Sequence, residues 1–358
     1  MSVIATYLMS RGLAPPLEPA EAETAAATID QALHLSVYPR SITAADGVIY
    51  CLGRSDLEQR VCLLATPKAT PNALAELAGE RRWAVLDGRE VLVLITPTDH
   101  RAAQLVRRDL PFTVPRVIGL MRSIGCGDRL GLGTPGHVRA VRGTGVVPVF
   151  AQQSIREMDR TGRTSEQVMD DVLWGVLREG YRDGFGADAD HLKTEEDVAT
   201  CVEAGFTMFT IDPGDHVNDT ADALTLDLLE AEFEALPWAG LEATPRECRQ
   251  QYRHATVDLG AAGGFEFGKV ALLRSAVKYG AAVAHTVRLY RRLADLMAGR
   301  PFEFEMSVDE TATPTTAAEH FYVASELKRL GVEVTSLAPR FVGAFEKGID
   351  YKGSLEEF

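Results

Sequence analysis

Residues 184–212 read GFGADADHLKTEEDVATCVEAGFTMFTID, and their reading decides the fold class. Gly184–His191 is a strand-like run that ends in acids and an imidazole. A helical stretch opens at Thr194, with Glu195, Glu196 and Asp197 in its first turn, where the positive end of a helix dipole favours them. Phe206–Asp212 is strand-like again. Strand, helix and strand in so short a span form the βαβ unit of a parallel sheet.

The same rhythm extends both ways. Towards the N-terminus it predicts a strand over Val146–Gln152 and a helix over Ser165–Arg178, capped by Thr161–Thr164. An earlier strand falls at Val117–Leu120 or at Leu130–Gly133. Towards the C-terminus come a helix over Ala221–Leu236, a strand over Phe302–Val308, a helix over Thr315–Leu330 and a strand over Val332–Ala338. Residues 237–300 interrupt the alternation with Gly260–Gly264 and a long helical pattern, Val270–Met297. The expectation is an α/β, TIM-barrel-like (β/α) domain over 113–358, with about six of the eight units that close such a barrel. An incomplete barrel exposes sheet edges, so the expectation is either a truncated chain or a homo-oligomer or partner chain that supplies further strands. Residues 1–112 differ, with a helical stretch at Ala20–Leu35 and then short apolar runs. The last run is broken by Asp87-Gly88, a hairpin signal. They predict a small α+β domain with antiparallel strands.

Composition narrows the function. The 358 residues carry a formal charge of −14, which argues against a nucleic-acid partner. No apolar run approaches the length that spans a membrane. The N-terminus has no basic stretch ahead of an apolar one, and the five cysteines are scattered, so a reducing cytoplasm is expected.

Ionisable residues gather where the predicted strands end: Asp188, Asp190, His191 and Lys193, then Asp212, Asp215 and His216, then Ser307, Asp309 and Glu310, then Ser336 and Arg340. Parallel α/β folds build their sites on that edge. Period two puts Glu303, Glu305, Ser307 and Asp309 on one face of their strand. Carboxylates crowded together repel unless a cation joins them. A divalent metal is one solution; ion pairing with Lys193, Lys269 or Arg340 is the other. His191 and His216 would complete a metal set, and imidazole with carboxylate suits Mn, Ni, Zn or Fe. His34, His100, His137, His254, His285 and His320 are read as non-ligands. Asp128-Arg129, Lys193 and Arg340 are anion-binding candidates. The glycine-rich run Gly125–Gly133 lacks the phosphate-loop lysine, and no HExxH or GxSxG occurs.

Six stretches, taken together, carry a resemblance: Gly127–His137, Phe150–Arg156 with Gln152, Phe185–Thr194, Phe206–His216, Ser307–Thr311 and Ser336–Phe341. In this order they resemble the tagaturonate epimerase family, from about residue 115 onward and more loosely before it. The resemblance implies a metal-dependent epimerase that interconverts D-tagaturonate and D-fructuronate on a barrel-like scaffold, with possible extension to fructose and tagatose. It implies a site at Asp190, His191, Lys193, Asp212, His216, Glu305, Asp309 and Glu310, which is expected to divide as follows. His191, Asp212, His216, Glu305 and Asp309 would be metal ligands. Asp190 and Glu310 would be acid/base groups. Lys193 and Arg340 would hold the substrate carboxylate, with Asp128, Arg129 and Gln152 as further contacts. The family pattern continues into a His-Ser-Gly-Ser-Asp segment and a further His-x-Lys-Thr segment; this sequence contains no His-Ser-Gly-Ser-Asp, and the His-x-Lys-Thr it has is His191–Thr194.

The inverted carbon of these uronates is not α to the ketone, so simple enolisation cannot acidify its C–H. Retro-aldol cleavage with re-addition is the expected route, because transient oxidation needs a nicotinamide and no dinucleotide fingerprint is present. A metal-dependent aldolase or isomerase of a keto sugar, or an inactive sugar-acid-binding fragment, are the alternatives.

Overall fold

The structure is a computed structural model and describes residues 2–55, 58–66, 75, 77–253, 255–258, 260, 263–345 and 349–358. The chain divides into two compact units. One comprises Met1–Asp188 with Ala204–Thr207, the other Ala189–Glu203 with Met208–Phe358.

The first unit holds an antiparallel sheet of β1 (Ser36–Val37), β2 (Thr43–Ala45), β3 (Val48–Ser55), β4 (Glu58–Ala65), β5 (Glu80–Leu86) and β6 (Arg89–Pro97). The strand order is β1-β3-β4-β6-β5, with β2 also on β3. The hairpin expected at Asp87-Gly88 joins β5 to β6. Both residues have positive φ, 48° and 69°, which is the twist a two-residue hairpin turn needs.

Alternate residues of β3 and β4 serve two cores. Ile49, Cys51, Cys62 and Leu64 pack with Ile29 and Leu33 of the helix Pro19–Leu33. Tyr50, Leu52, Val61 and Leu63 pack with Ala102 and Val106 of the helix His100–Asp109, and with Leu173 and Leu177 of the helix Ser165–Glu179. A strand buried on both faces loses polar alternation and reads as a continuous apolar run. Each large side chain so buried contributes about 1.5–3 kcal/mol.

The same unit contains β7 (Ser123–Gly125), parallel to β8 (Val147–Ser154). Neither position expected for this first strand is correct. Val117–Leu120 and Leu130–Gly133 are both loop, and Leu130 and Leu132 are 71% and 74% exposed. All three residues of β7 are exposed, so it carries no hydrophobic pattern to read.

β9 (Gly186–Leu192) begins in the first unit and ends in the second. The second unit adds β10 (Met208–Ile211), β11 (Thr256–Asp258), β12 (Gly264–Glu266), β13 (Glu303–Ser307) and β14 (Ser336–Ala338). β10 pairs in parallel with β13, and β13 with β14. This is the expected mixed α/β organisation. The apolar face of β13 packs on the long helix Lys269–Met297, with the Phe304 and Tyr290 rings 5.0 Å apart. Within the interruption, β11 and β12 form an antiparallel pair. Of the Gly260–Gly264 stretch between them, residues 261–262 lie outside the described residues.

The helix expected over Ala221–Leu236 is shorter. Ala221–Ala223 is a 3-10 turn, and Thr225, extended at φ −68° and ψ 162°, starts the helix proper at Leu226–Glu234. No described helix is long and apolar enough to cross a membrane.

Candidate active site

The site is built from the ends of β9, β10, β13 and β14 in the second unit. β9 ends in Asp190 and His191. His191 has φ 56°, a left-handed conformation that costs a residue with a Cβ roughly 1–2 kcal/mol. Its ring is held by carboxylates on both sides: Nδ1 lies 2.7 Å from Asp190 Oδ1, and Nε2 lies 3.4 Å from Asp309 Oδ1. Those two carboxylates, Asp190 foremost, push its pKa up to about 11. Nε2 is buried and, beyond that ion-pair contact with Asp309, makes no hydrogen bond.

β10 runs into Asp212, which is buried. Its Oδ1 accepts the Gly214 N–H at 2.8 Å. A Cβ at residue 214 would stand 2.9 Å from that oxygen, so glycine lets the turn wrap around the carboxylate. Glu310 follows β13. His191, Asp212 and Glu310 each offer one donor atom, and the three atoms lie within 4.8 Å of one another. A buried imidazole nitrogen without a hydrogen bond, on a ring grouped with two carboxylates, fits a first-row divalent ion. A proton and an ion would compete for such a nitrogen.

The remaining groups of this unit surround the trio. Asp309 accepts from Ser307 Oγ at 2.7 Å, and His191 above all holds its carboxyl down to about 2. Glu305 accepts from Ser336 Oγ, and from Thr210 Oγ1 at 3.4 Å; burial first, then Asp190 and Asp309, push its pKa up. Lys193 Nζ lies 3.5 Å from Asp212 and 3.3 Å from Asp215. Partial burial works against its charge, but the two aspartates win and hold the ammonium above its ordinary pKa. Arg340 donates to the Asp309 carbonyl at 3.1 Å. His216 does not join the trio; its ring stacks on His285 at 4.0 Å. Lys269 pairs with Glu230 at 2.5 Å, away from the β13 carboxylates.

Two residues have roles that the sequence reading did not assign: His285, read only as a non-ligand, and Lys278. His285 Nε2 lies 3.0 Å from the Lys193 carbonyl and so props the backbone of that lysine. Lys278 is wholly buried in the long helix. Its Nζ reaches Thr313 at 2.8 Å, Glu319 at 3.2 Å and Asp222 at 3.3 Å. Asp219 also accepts the Ala312 N–H at 3.1 Å. These bonds tie the loop bearing Glu310 to the loop that follows Asp212. Neither residue carries a motif, because each acts through partners distant in sequence.

The other candidates lie in the first unit. Gln152 donates to Asp188 Oδ2 at 3.4 Å and lies directly over Gly125. Asp128 accepts the Gly133 N–H, and the Leu130 N–H at 3.1 Å. Burial opposes its charge, but the backbone N–H groups of Gly133, Leu130, Leu132 and Thr134 outweigh burial and hold its pKa below the usual range. The glycine-rich run is therefore a loop wound around Asp128 at the start of the helix Thr134–Val141. Arg129 is paired with Glu157 at 2.6 Å. Among the remaining histidines, His100 pairs with Asp170 at 2.8 Å, and His254 lies outside the described residues.

Comparison with known proteins places this geometry among relatives. The model of the tagaturonate epimerase family matches residues 38–358. A tagaturonate/fructuronate epimerase of Thermotoga maritima is 40% identical over 327 residues, which is 90% of this chain and 63% of that protein. Two crystal structures of the fructuronate-tagaturonate epimerase of Cohnella laeviribosi are similar at 36% identity. The glycerol complex has a TM-score of 0.80 and matches 90% of this chain and 62% of its own. The native form has a TM-score of 0.81, with 92% and 65% covered. The chain thus spans a little under two thirds of the length of these relatives.

Proposed function

Because this chain belongs to the tagaturonate epimerase family, we propose that it interconverts D-tagaturonate and D-fructuronate, a sugar-acid isomerase reaction, and that it does so with a divalent metal. The observation that carries the metal reading is His191, left-handed and half-buried, which offers a donor nitrogen grouped with carboxylate oxygens of Asp212 and Glu310, while its buried Nε2 makes no hydrogen bond and has only a 3.4 Å ion-pair contact with Asp309. A Mn, Ni, Zn or Fe ion held by those three residues would supply Lewis-acid stabilisation of developing oxyanion charge. The ends of four strands converge on one edge, which supports a TIM-barrel-like scaffold. None of the five cysteines forms a disulfide, which suits a reducing cytoplasm.

The chain's own residues divide the remaining work. Asp190 accepts the Nδ1–H of His191 and fixes the tautomer that leaves Nε2 facing the trio. Lys193 and Arg340 supply positive charge for the substrate carboxylate, and Arg340 can meet it with two parallel N–H groups. Glu305, half-buried and raised in pKa, suits a group that takes a hydroxyl proton and returns it. The proton leaves the hydroxyl of the carbon to be inverted, and the C–C bond on its ketone side breaks to give an aldehyde and an enediolate. The aldehyde rotates, the bond re-forms on its other face, and the proton returns to the new alkoxide. Glu310, grouped with the metal donors, is read as a ligand rather than as the base.

Incubation of metal-loaded protein with D-tagaturonate in deuterated water tests this. Formation of D-fructuronate with protium kept at the inverted carbon is expected. Deuterium at that carbon would refute the retro-aldol route. Absence of product with any of the four metals would refute the activity.

A further inference from the structure

In the unit that begins the chain, a cavity of about 480 Å³ opens beside the C-terminal ends of the helices Thr134–Val141 and Ser165–Glu179. Four guanidiniums line it, Arg40, Arg139, Arg142 and Arg178, against the carboxylates of Glu23 and Glu179. That is a local surplus of cations in a chain of net charge −14. A helix C-terminus accommodates a cation, because its carbonyls carry about half a negative charge. Two such ends and two acids still leave the arginines in excess.

Glu179 does not absorb that excess. It is almost fully buried and takes Nη2 and Nε of Arg139 at 2.7 and 3.1 Å. Arg40 Nη1 stands off at 3.8 Å. Arg142 gives one N–H to the Glu179 carbonyl at 2.7 Å. Arg178 lies over the Tyr38 ring, 4.2 Å from its centroid, and its buried Nε makes no hydrogen bond. Each guanidinium carries five donors, so most of this set is unspent on Glu179. The arrangement is also built into the backbone. Gly180 has φ 56°, and a Cβ there would come within 2.3 Å of the Arg40 carbonyl, so this glycine lets Arg40 sit against the helix end. A second cavity of about 270 Å³ shares Arg40 and Arg142 and extends the groove to Arg182.

We propose that this groove binds a phosphoryl dianion, free or carried by a small metabolite, seated among Arg40, Arg142 and Arg178. The cluster is all arginine, and planar forks meet the oxygens of a phosphoryl group two at a time, which a lysine cannot do. The volume falls in the range of small-molecule sites. The proposal is independent of the epimerase reading, and its test uses no sugar acid.

Calorimetric titration of the full chain with inorganic phosphate and with glucose 6-phosphate, at constant ionic strength in chloride, measures the site. Both probes are expected to bind, and Arg178→Gln and Arg40→Gln are each expected to weaken binding at least about tenfold, the worth of a hydrogen bond to a charged group. Tighter binding of the ester assigns the site to a phosphorylated metabolite, and equal or tighter binding of phosphate assigns it to the free ion. If a Gln variant fails to fold, Arg40→Lys keeps the charge but loses the fork, and should still weaken both probes severalfold. Binding of neither probe, or equal binding by wild type and folded variants, overturns the proposal.

Discussion

At the scale of single residues, His191 is the clearest case of local strain held by its surroundings. Its left-handed backbone is one that asparagine tolerates better than most residues. His191→Asn is therefore expected to leave the melting temperature of the metal-free protein within a few degrees of wild type, while metal affinity falls by more than tenfold in calorimetry. Asp190→Asn should keep the ligand but free its ring, and outer-shell changes of this kind cost 10–100-fold in metal affinity. Asp128 makes a prediction in pH. Its folded pKa is depressed by backbone N–H groups, so its stabilising effect is complete above the unfolded carboxylate value of about 3.9 and is lost as pH falls through the folded value. Asp128→Asn should flatten that part of the acid limb, read as melting temperature against pH from about 5 downward. The candidates themselves were legible because acids and imidazoles stood at strand ends. Their roles were not: nothing in the string Asp212–His216 says that His216 turns to stack on His285 while Asp212 turns inward.

At the scale of elements, legibility followed burial. β8, β10 and β13 stood out because their side chains are packed, whereas β7 is exposed throughout and gave no signal. The hairpin at Asp87-Gly88 was readable from two letters because both residues need positive φ. Gly88→Val should cost about 1–2 kcal/mol through that backbone conformation, seen as a lower denaturant midpoint with an unchanged slope. Lys278 was invisible, since a lysine in a long helix ordinarily faces water. Lys278→Met leaves Glu319 buried without its cation, a loss of about 3–5 kcal/mol. Because the same ammonium ties the loop bearing Glu310 to the loop that follows Asp212, metal affinity should fall with stability. Lys278→Met/Glu319→Gln should recover part of the stability but not the metal affinity.

At the scale of the whole molecule, the charge of −14 reads differently once the positions are known. Acids concentrate at the strand ends of one unit, while a surplus of arginines gathers in the other. Composition reports only the sum. A ligand that binds the native state alone stabilises it by mass action, about 2.7 kcal/mol at a hundredfold excess over its Kd. Adding Mn or Zn should raise the melting temperature, and EDTA should return it to the metal-free value; a melting curve indifferent to both would remove the metal from the account. The two-faced burial of β3 and β4 has a further consequence, for folding rather than for chemistry. In a sheet with one wet face, a slip of one residue throws polar groups into the core and is rejected at once. Over Val48–Gly53 and Val61–Ala65 these two strands are buried on both sides, so within that stretch a slipped pairing is almost as greasy as the correct one. Proofreading of the register must then rest on side-chain shape and on the turns at the strand ends, which makes this sheet the place where a newly made chain is most exposed to mispairing and to capture by a neighbouring copy.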